Sequence, residues 1–180
     1  MKSRFLITTA DERSWKLDQP VLFLGEWCRL YSRRHIWEKL DSKVAAPFGL
    51  EPEIKQSLID LAIELEKQLF PGICNALNHH HKLKYSHRFW KIVLGHWLRR
   101  FIFVVINRYS TIVQCLKEHK ISGTIGFTKG IYNLATLDSN SFYLACDDDY
   151  WNNTLYLRII SLTGNTDFSV DYLDTLSKKG

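Results

Sequence analysis

Phe5-Leu6-Ile7-Thr8-Thr9-Ala10, and after it Val21-Leu22-Phe23-Leu24-Gly25, set the class of this chain. Each is a short apolar run with little polar alternation; Pro20 opens the second and Gly25 closes it. Such runs suit strands covered on both faces, the situation inside a parallel sheet. The polar residues Asp11 to Gln19 between them read as a loop. Further on, Gly123-Thr124-Ile125-Gly126-Phe127 reads as a third strand.

Helical patterns separate these strands. A helix is expected from Glu26 to Leu40, with Trp27, Leu30, Tyr31 and Trp37 on one side, and a connection from Asp41 to Gly49. Ile54, Leu58, Leu61, Ala62, Leu65 and Leu69 then repeat at helical spacing. Pro52 suits the first turn of that helix, Glu51 and Glu53 suit the positive end of its dipole, and Pro71-Gly72 is expected to end it. A short apolar turn, Ile73 to Leu77, and a polar run, Asn78 to Lys84, follow. Ser86 is placed to cap a long helix reaching about Leu116, apolar nearly all round in its middle and therefore expected to be buried. A last helix is expected from about Asp148 to Leu162, stopped by Gly164. The prediction is α/β: a Rossmann-like layered domain with a mostly parallel sheet and a long buried helix. It spans residues 1–164, with 165–180 a weakly structured tail or truncated linker.

Composition narrows the function classes. The chain has 180 residues, 46% hydrophobic and 24% charged, which suits one folded domain with a real core. Cys28, Cys74, Cys115 and Cys146 are far apart and form no CxxC pair, so free thiols in a reducing cytosol are expected. The longest central apolar run, Phe101 to Ile106, is too short to span a bilayer, although peripheral contact with the inner membrane face stays open. Net charge is +5 and unevenly spread: between Glu66 and Glu118 there is no Asp or Glu, and nine Lys or Arg. That leaves 15 basic against 19 acidic residues elsewhere (24 less 9 against 19). Such a segment either meets a phosphate-bearing partner or is neutralised by the acidic remainder.

Several constellations could carry chemistry. On the long helix Arg88, Lys91, Gly95 and Arg99 share a narrow arc. Glycine costs about 1 kcal/mol against alanine inside a helix, so Gly95 suggests either a ligand approaching between cations or a helix-packing contact. Gly25-Glu26-Trp27 stands where a strand gives way to a helix, the usual ligand edge of an open α/β sheet. Glu26 there could be a general base, and Thr8, Gly25 and Trp27 would line the ligand; equally, Glu26 could be a first-turn acid and Trp27 a core aromatic. Asp147-Asp148-Asp149 reads as a helix cap, or after a strand as a carboxylate pair holding a cation against a diphosphate. His79-His80-His81 has no ligand partner at metal spacing nearby and reads as a loop tract. The sequence has no glycine-rich phosphate loop and no G-x-S-x-G turn. No metal and no cofactor are expected.

Taken together, Phe5 to Trp15, Val21 to Cys28, and Tyr31 to Leu40 with His35-Ile36-Trp37 resemble the opening of a family of bacterial transferase-like proteins encoded with O-antigen and capsule genes. Ser86-His87-Arg88-Phe89-Trp90-Lys91-Ile92-Val93-Leu94-Gly95-His96-Trp97-Leu98 is similar to that family's S-x-R-[FY]-W-x-I-x-x-G-x-W-L stretch. Trp151-Asn152 with Leu155-Tyr156 resembles its W-N-x-x-L-Y helix. The chain departs from the family at Lys84-Tyr85, where Asn-His is usual, and at Ala45 to Gly49. The resemblance implies the N-terminal, acceptor-side half of a two-domain glycosyltransferase of surface-polysaccharide biosynthesis, cytoplasmic and inactive alone, whose C-terminal domain is missing. It implies a sugar or nucleotide-sugar and a lipid-linked or glycan acceptor as partners. Glu26 would be the catalytic residue, with Thr8, Gly25, Trp27, Arg88, Lys91, Gly95 and Arg99 on the substrate. The alternative is a non-enzymatic basic domain binding anionic lipid or nucleic acid, although nucleic acid is not an expected partner under the leading reading.

Overall fold

The computed structural model describes residues 2–129, 134–164 and 167–173. Residues 165–166 and 174–180 of the expected tail lie outside the described residues. Two compact units form: Met1–Phe48 with Arg108–Gly180, and Gly49–Asn107.

The first unit is built on a five-stranded sheet in which every pairing is parallel. Its strands are β1 (Arg4–Ile7), β2 (Val21–Phe23), β3 (Ser42–Val44), β4 (Ile121–Gly126) and β5 (Ser169–Tyr172), in the order β3-β2-β1-β4-β5. The expected α/β class and parallel sheet are borne out. Phe5, Leu6, Ile7, Val21, Leu22 and Phe23 are buried, which is why their runs carry no polar alternation. Register sets Phe5 opposite Val21 on one side and Gly123 on the other. From β1 the chain moves outward through β2 to β3, then returns to lay β4 on the other flank of β1. Order therefore reverses between β1 and β4, and the crevice beyond their carboxyl ends is where open α/β sheets take ligands.

The helices are α1 (Arg34–Trp37), α2 (Pro52–His81), α3 (His87–Glu118), α4 (Ser139–Asp147) and α5 (Asp149–Leu162). Several expectations need correction. Glu26–Leu40 is not one helix: two 3-10 turns, Glu26–Cys28 and Tyr31–Arg33, lead into the single turn α1. Leu30 is held extended (φ −60°, ψ 128°), and its carbonyl accepts a hydrogen bond from Trp37 Nε1 at 2.9 Å. The Arg29 guanidinium lies 4.9 Å from the Trp37 ring, so the aromatic closes a loop and not a helix face. The expected connection Asp41 to Gly49 contains β3, and the expected tail contains β5. Both are short edge strands of mixed polarity, as edges commonly are.

In the second unit α2 continues through Pro71 and takes in His79-His80-His81, which form its last turn and not a loop. Proline inside a helix costs about 3 kcal/mol. Here Phe70 and Cys74, on either side of Pro71, are buried with Ala62, Trp90, Leu98, Ile102 and Ile106 in one core cluster, which offsets that cost. The row of α2 that faces this core runs Leu58, Ala62, Glu66, Phe70 and Cys74; Leu61 and Leu69 of the expected stripe are exposed. Long helix α3 begins as expected, with Ser86 Oγ accepting from the Phe89 N–H at 3.3 Å. It buries Trp90, Leu98, Ile102, Ile106, Ile112 and Cys115, while Ile92 is 77% exposed. No described helix is long and apolar enough to cross a membrane.

Candidate functional site

A cavity of about 420 Å³ opens in the first unit at the switch point. Thr8, Thr9 and Ala10, the residues that follow β1, form its floor, and Trp27 and Leu30 line it from beyond β2. Its remaining lining is helical: Arg108 of α3, Cys146 and Asp147 at the end of α4, and Asp149, Asn152 and Tyr156 of α5.

Local sequence explains why these groups converge. Asp148 caps α5, its carboxylate accepting from the Trp151 N–H at 2.7 Å, so the backbone turns sharply between α4 and α5. The capping reading of the three aspartates is borne out for Asp148, and the strand expected before a cation site is instead the helix α4. Asp149, one residue further, accepts from the Ala10 N–H at 3.1 Å and so ties α5 to the loop after β1. Burial raises the Asp149 carboxyl above its usual range; the Ala10 N–H opposes this, and nearby Asp11 and Asp148 add to it. Among the described residues no group of three or more His, Cys, Asp or Glu side chains is placed to hold a metal ion.

Asn153, fully buried, locks the switch point. Its Nδ2 donates to Ile125 O at 2.9 Å and to Thr8 Oγ1 at 3.1 Å, and its Oδ1 accepts from the Phe127 N–H at 3.2 Å. One amide thereby joins β1, β4 and α5 where a parallel sheet has no further ladder to satisfy the backbone. Arg108 Nε donates to Asn152 Oδ1 at 3.1 Å, and Asn152 Nδ2 donates to Cys146 O and Asp148 O at 2.8 and 2.9 Å. The cation is thus aimed by an amide that is itself fixed to the α4–α5 junction. Thr9, 1% exposed, keeps a hydroxyl with no hydrogen-bond partner.

The expected site residues divide between the two units. Thr8 and Trp27 line the cavity, and Trp27 Nε1 donates to Thr8 O at 3.2 Å. Gly25 has a mechanical role: a Cβ there would stand 2.0 Å from the Trp27 ring, so only glycine lets the indole fold back over the strand end. Glu26 points outward, its side chain 75% exposed and paired with Arg29, and it is not part of the lining. Arg88, Lys91, Gly95 and Arg99 belong to the second unit. There the buried Glu66 carboxylate accepts from Lys91 Nζ and, at 2.7 Å, from Arg99 Nε. The nearest atoms to a Cβ at Gly95 are those of the Lys91 stem, at 3.1 Å, so the glycine leaves room for that side chain. Two cations of the stripe are therefore engaged by the acid at the head of the acid-free segment. Arg108, Asn152 and Asn153 were not singled out from sequence as ligand groups, and Asp149 was read only as part of a helix cap or of a cation-holding carboxylate pair. The available signal was Asn153, a polar residue on the buried row it forms with Tyr156 and Ile160.

Fold and site together define an α/β protein with a polar cleft at the reversal of strand order, without a glycine-rich phosphate loop. The model of the LIC12162 family transferases matches residues 4–179. The chain belongs to that transferase family, and the transferase part of the sequence resemblance is borne out. No curated protein and no solved structure matches it.

Proposed function

We propose that this chain presents the acceptor-binding face of a glycosyl transfer reaction in bacterial surface-polysaccharide assembly. The observation that carries the reading is a partly desolvated carboxyl, Asp149, in a switch-point cavity shared with a fixed cation, Arg108, and an indole, Trp27. A carboxyl held above its usual range is the better proton acceptor for a sugar hydroxyl. The acceptor hydroxyl gives its proton to Asp149 as its oxygen bonds to the anomeric carbon of an activated sugar. The bond from that carbon to the leaving phosphate breaks, and the phosphate departs with the electron pair. Trp27, 48% exposed, offers a flat apolar face to the acceptor ring, and Arg108 with Asn152 holds an anionic or hydroxyl group of it. Glu26, paired with Arg29 outside the lining, is replaced by Asp149 as the candidate base.

The test is a transfer assay with glycan and lipid-linked acceptors. Asp149→Asn, which keeps a group able to accept from the Ala10 N–H, is expected to abolish turnover with acceptor binding nearly unchanged. Turnover unchanged in Asp149→Asn and lost in Glu26→Gln would overturn the assignment.

A further inference from the structure

We propose a second, phosphate-binding site at the opposite edge of the sheet. A cavity of about 150 Å³ sits at the amino ends of the strands, and every residue lining it is basic: Lys2, Arg4, Lys43, His119 and Lys120. The strand order brings them together, since Arg4 begins β1, Lys43 lies in β3, and His119 and Lys120 join α3 to β4.

Only part of this charge is compensated. Arg4 is committed to the structure: Nη1 donates to Asp41 O at 2.8 Å and Val21 O at 3.1 Å, and Nη2 to Asp41 Oδ1 at 2.8 Å. Lys2 shares that carboxylate at 3.5 Å. One acid thus stands against four Lys and Arg, and Lys43 and Lys120 have no ion-pair partner among the described residues. His119 adds the specific feature, because its Nε2 is buried and has no hydrogen-bond partner. Clustered cations repel unless an anion joins them, and a buried ring nitrogen is costly unless it is bonded. A phosphate with Lys43 and Lys120 around it meets the first condition, and a turn of the His119 ring, which lines both this cavity and its neighbour, brings Nε2–H to a phosphate oxygen and meets the second. A second cavity of about 350 Å³ shares His119 and Lys120 and is otherwise lined by Ser3, Leu116, Ile121, Asp167 and Phe168. The pair of cavities therefore fits a phosphate monoester, with its phosphate among the lysines and its organic body against the apolar residues.

The full chain is titrated by two-dimensional NMR with inorganic phosphate, phenyl phosphate and, at matched ionic strength, chloride. Saturable shifts at Arg4, Lys43, His119 and Lys120 with both phosphates, tighter for phenyl phosphate, are expected. Lys43→Ala with Lys120→Ala, both exposed positions, should weaken binding about tenfold or more, and His119→Gln should also weaken it, while Asp149→Asn leaves it unchanged. Pelleting with phosphatidic acid vesicles but not with phosphatidylcholine alone would assign a lipid headgroup as the source of the phosphate; no pelleting assigns a soluble ester. Equal shifts with chloride and phosphate, or binding untouched by the lysine substitutions, would overturn the proposal and leave the cluster as compensation for the carbonyl end of α3.

Discussion

Replacing Asn153 by alanine should cost about 4 kcal/mol of folding stability. Three buried hydrogen bonds are lost, those with Thr8 Oγ1, Ile125 O and the Phe127 N–H. At a net ~1 kcal/mol each they account for about 3 kcal/mol, and a buried N–H left without an acceptor adds about 1 kcal/mol or more. For a domain whose total stability is of order 5–15 kcal/mol this is a large fraction. Urea unfolding followed by tryptophan fluorescence should show a lower midpoint with an unchanged slope. Asn153→Asp separates the hydrogen bonds from the packing, because its shape is nearly the same. At neutral pH its second oxygen faces the Ile125 carbonyl, where Nδ2 had donated. The Thr8 hydroxyl can turn to donate, but that carbonyl cannot. Such a buried carboxylate favours its protonated form, so its folded pKa lies above the unfolded one. The stability lost at neutral pH should therefore return as pH falls through that raised value. A loss under about 1 kcal/mol in Asn153→Ala, or a pH-independent Asn153→Asp, would refute the claim that this amide locks the switch point.

Removing both Lys91 and Arg99 by alanine substitution leaves the Glu66 side chain, 4% exposed, without either cation, and a loss of about 3 kcal/mol is expected at pH 7 by thermal or urea unfolding. The hydrogen bond from Arg99, with Lys91 in support, holds the Glu66 carboxyl below its ordinary 4.5 against the effect of burial. The native stabilisation is therefore complete above that value and lost as pH falls through the lowered one, so the gap between native and double variant should close in acid. Gly25→Ala places a methyl against the Trp27 ring and should displace the indole, giving an altered tryptophan emission and weaker acceptor binding with little change in the backbone, which is extended there (φ −172°). Burial pushes the Cys28 and Cys115 thiols up to about 12, so both should resist alkylation at neutral pH in the folded chain and react on unfolding; rapid native modification would contradict their burial.

The centre of the sheet was legible because β1 and β2 are buried on both faces and leave unbroken apolar runs. Strands β3 and β5 were not, since Ser42-Lys43-Val44 and Ser169-Val170-Asp171-Tyr172 lie at the edges and carry polar residues. Pro71 misled in a different way: its local penalty is real, but the core contacts of Phe70 and Cys74 outweigh it. At the site, Gly25 and Trp27 followed from position at a strand end, and Thr8 lies within the first run read as a strand. Arg108 did not follow, and Asp149 was legible only as a cap or a cation-holding carboxylate and not as a partner of Arg108, because 41 positions separate them (149 less 108) and only the reversal of strand order brings α3, α5 and the end of β1 to one cavity. The basic stripe was visible as an arc on a helix, whereas Glu66 lies on a different helix and its role needed the packing of α2 against α3.

The most direct test of a ligand cleft at the switch point is a two-dimensional NMR titration of the full chain with oligosaccharide acceptors. Saturable shifts at the amides of Thr8, Thr9 and Ala10, the Trp27 indole N–H and the Asn152 side chain are predicted, and they should weaken in Trp27→Ala and Arg108→Ala. Binding that moves none of these resonances, or that concentrates on Arg88 and Arg99, would contradict the account.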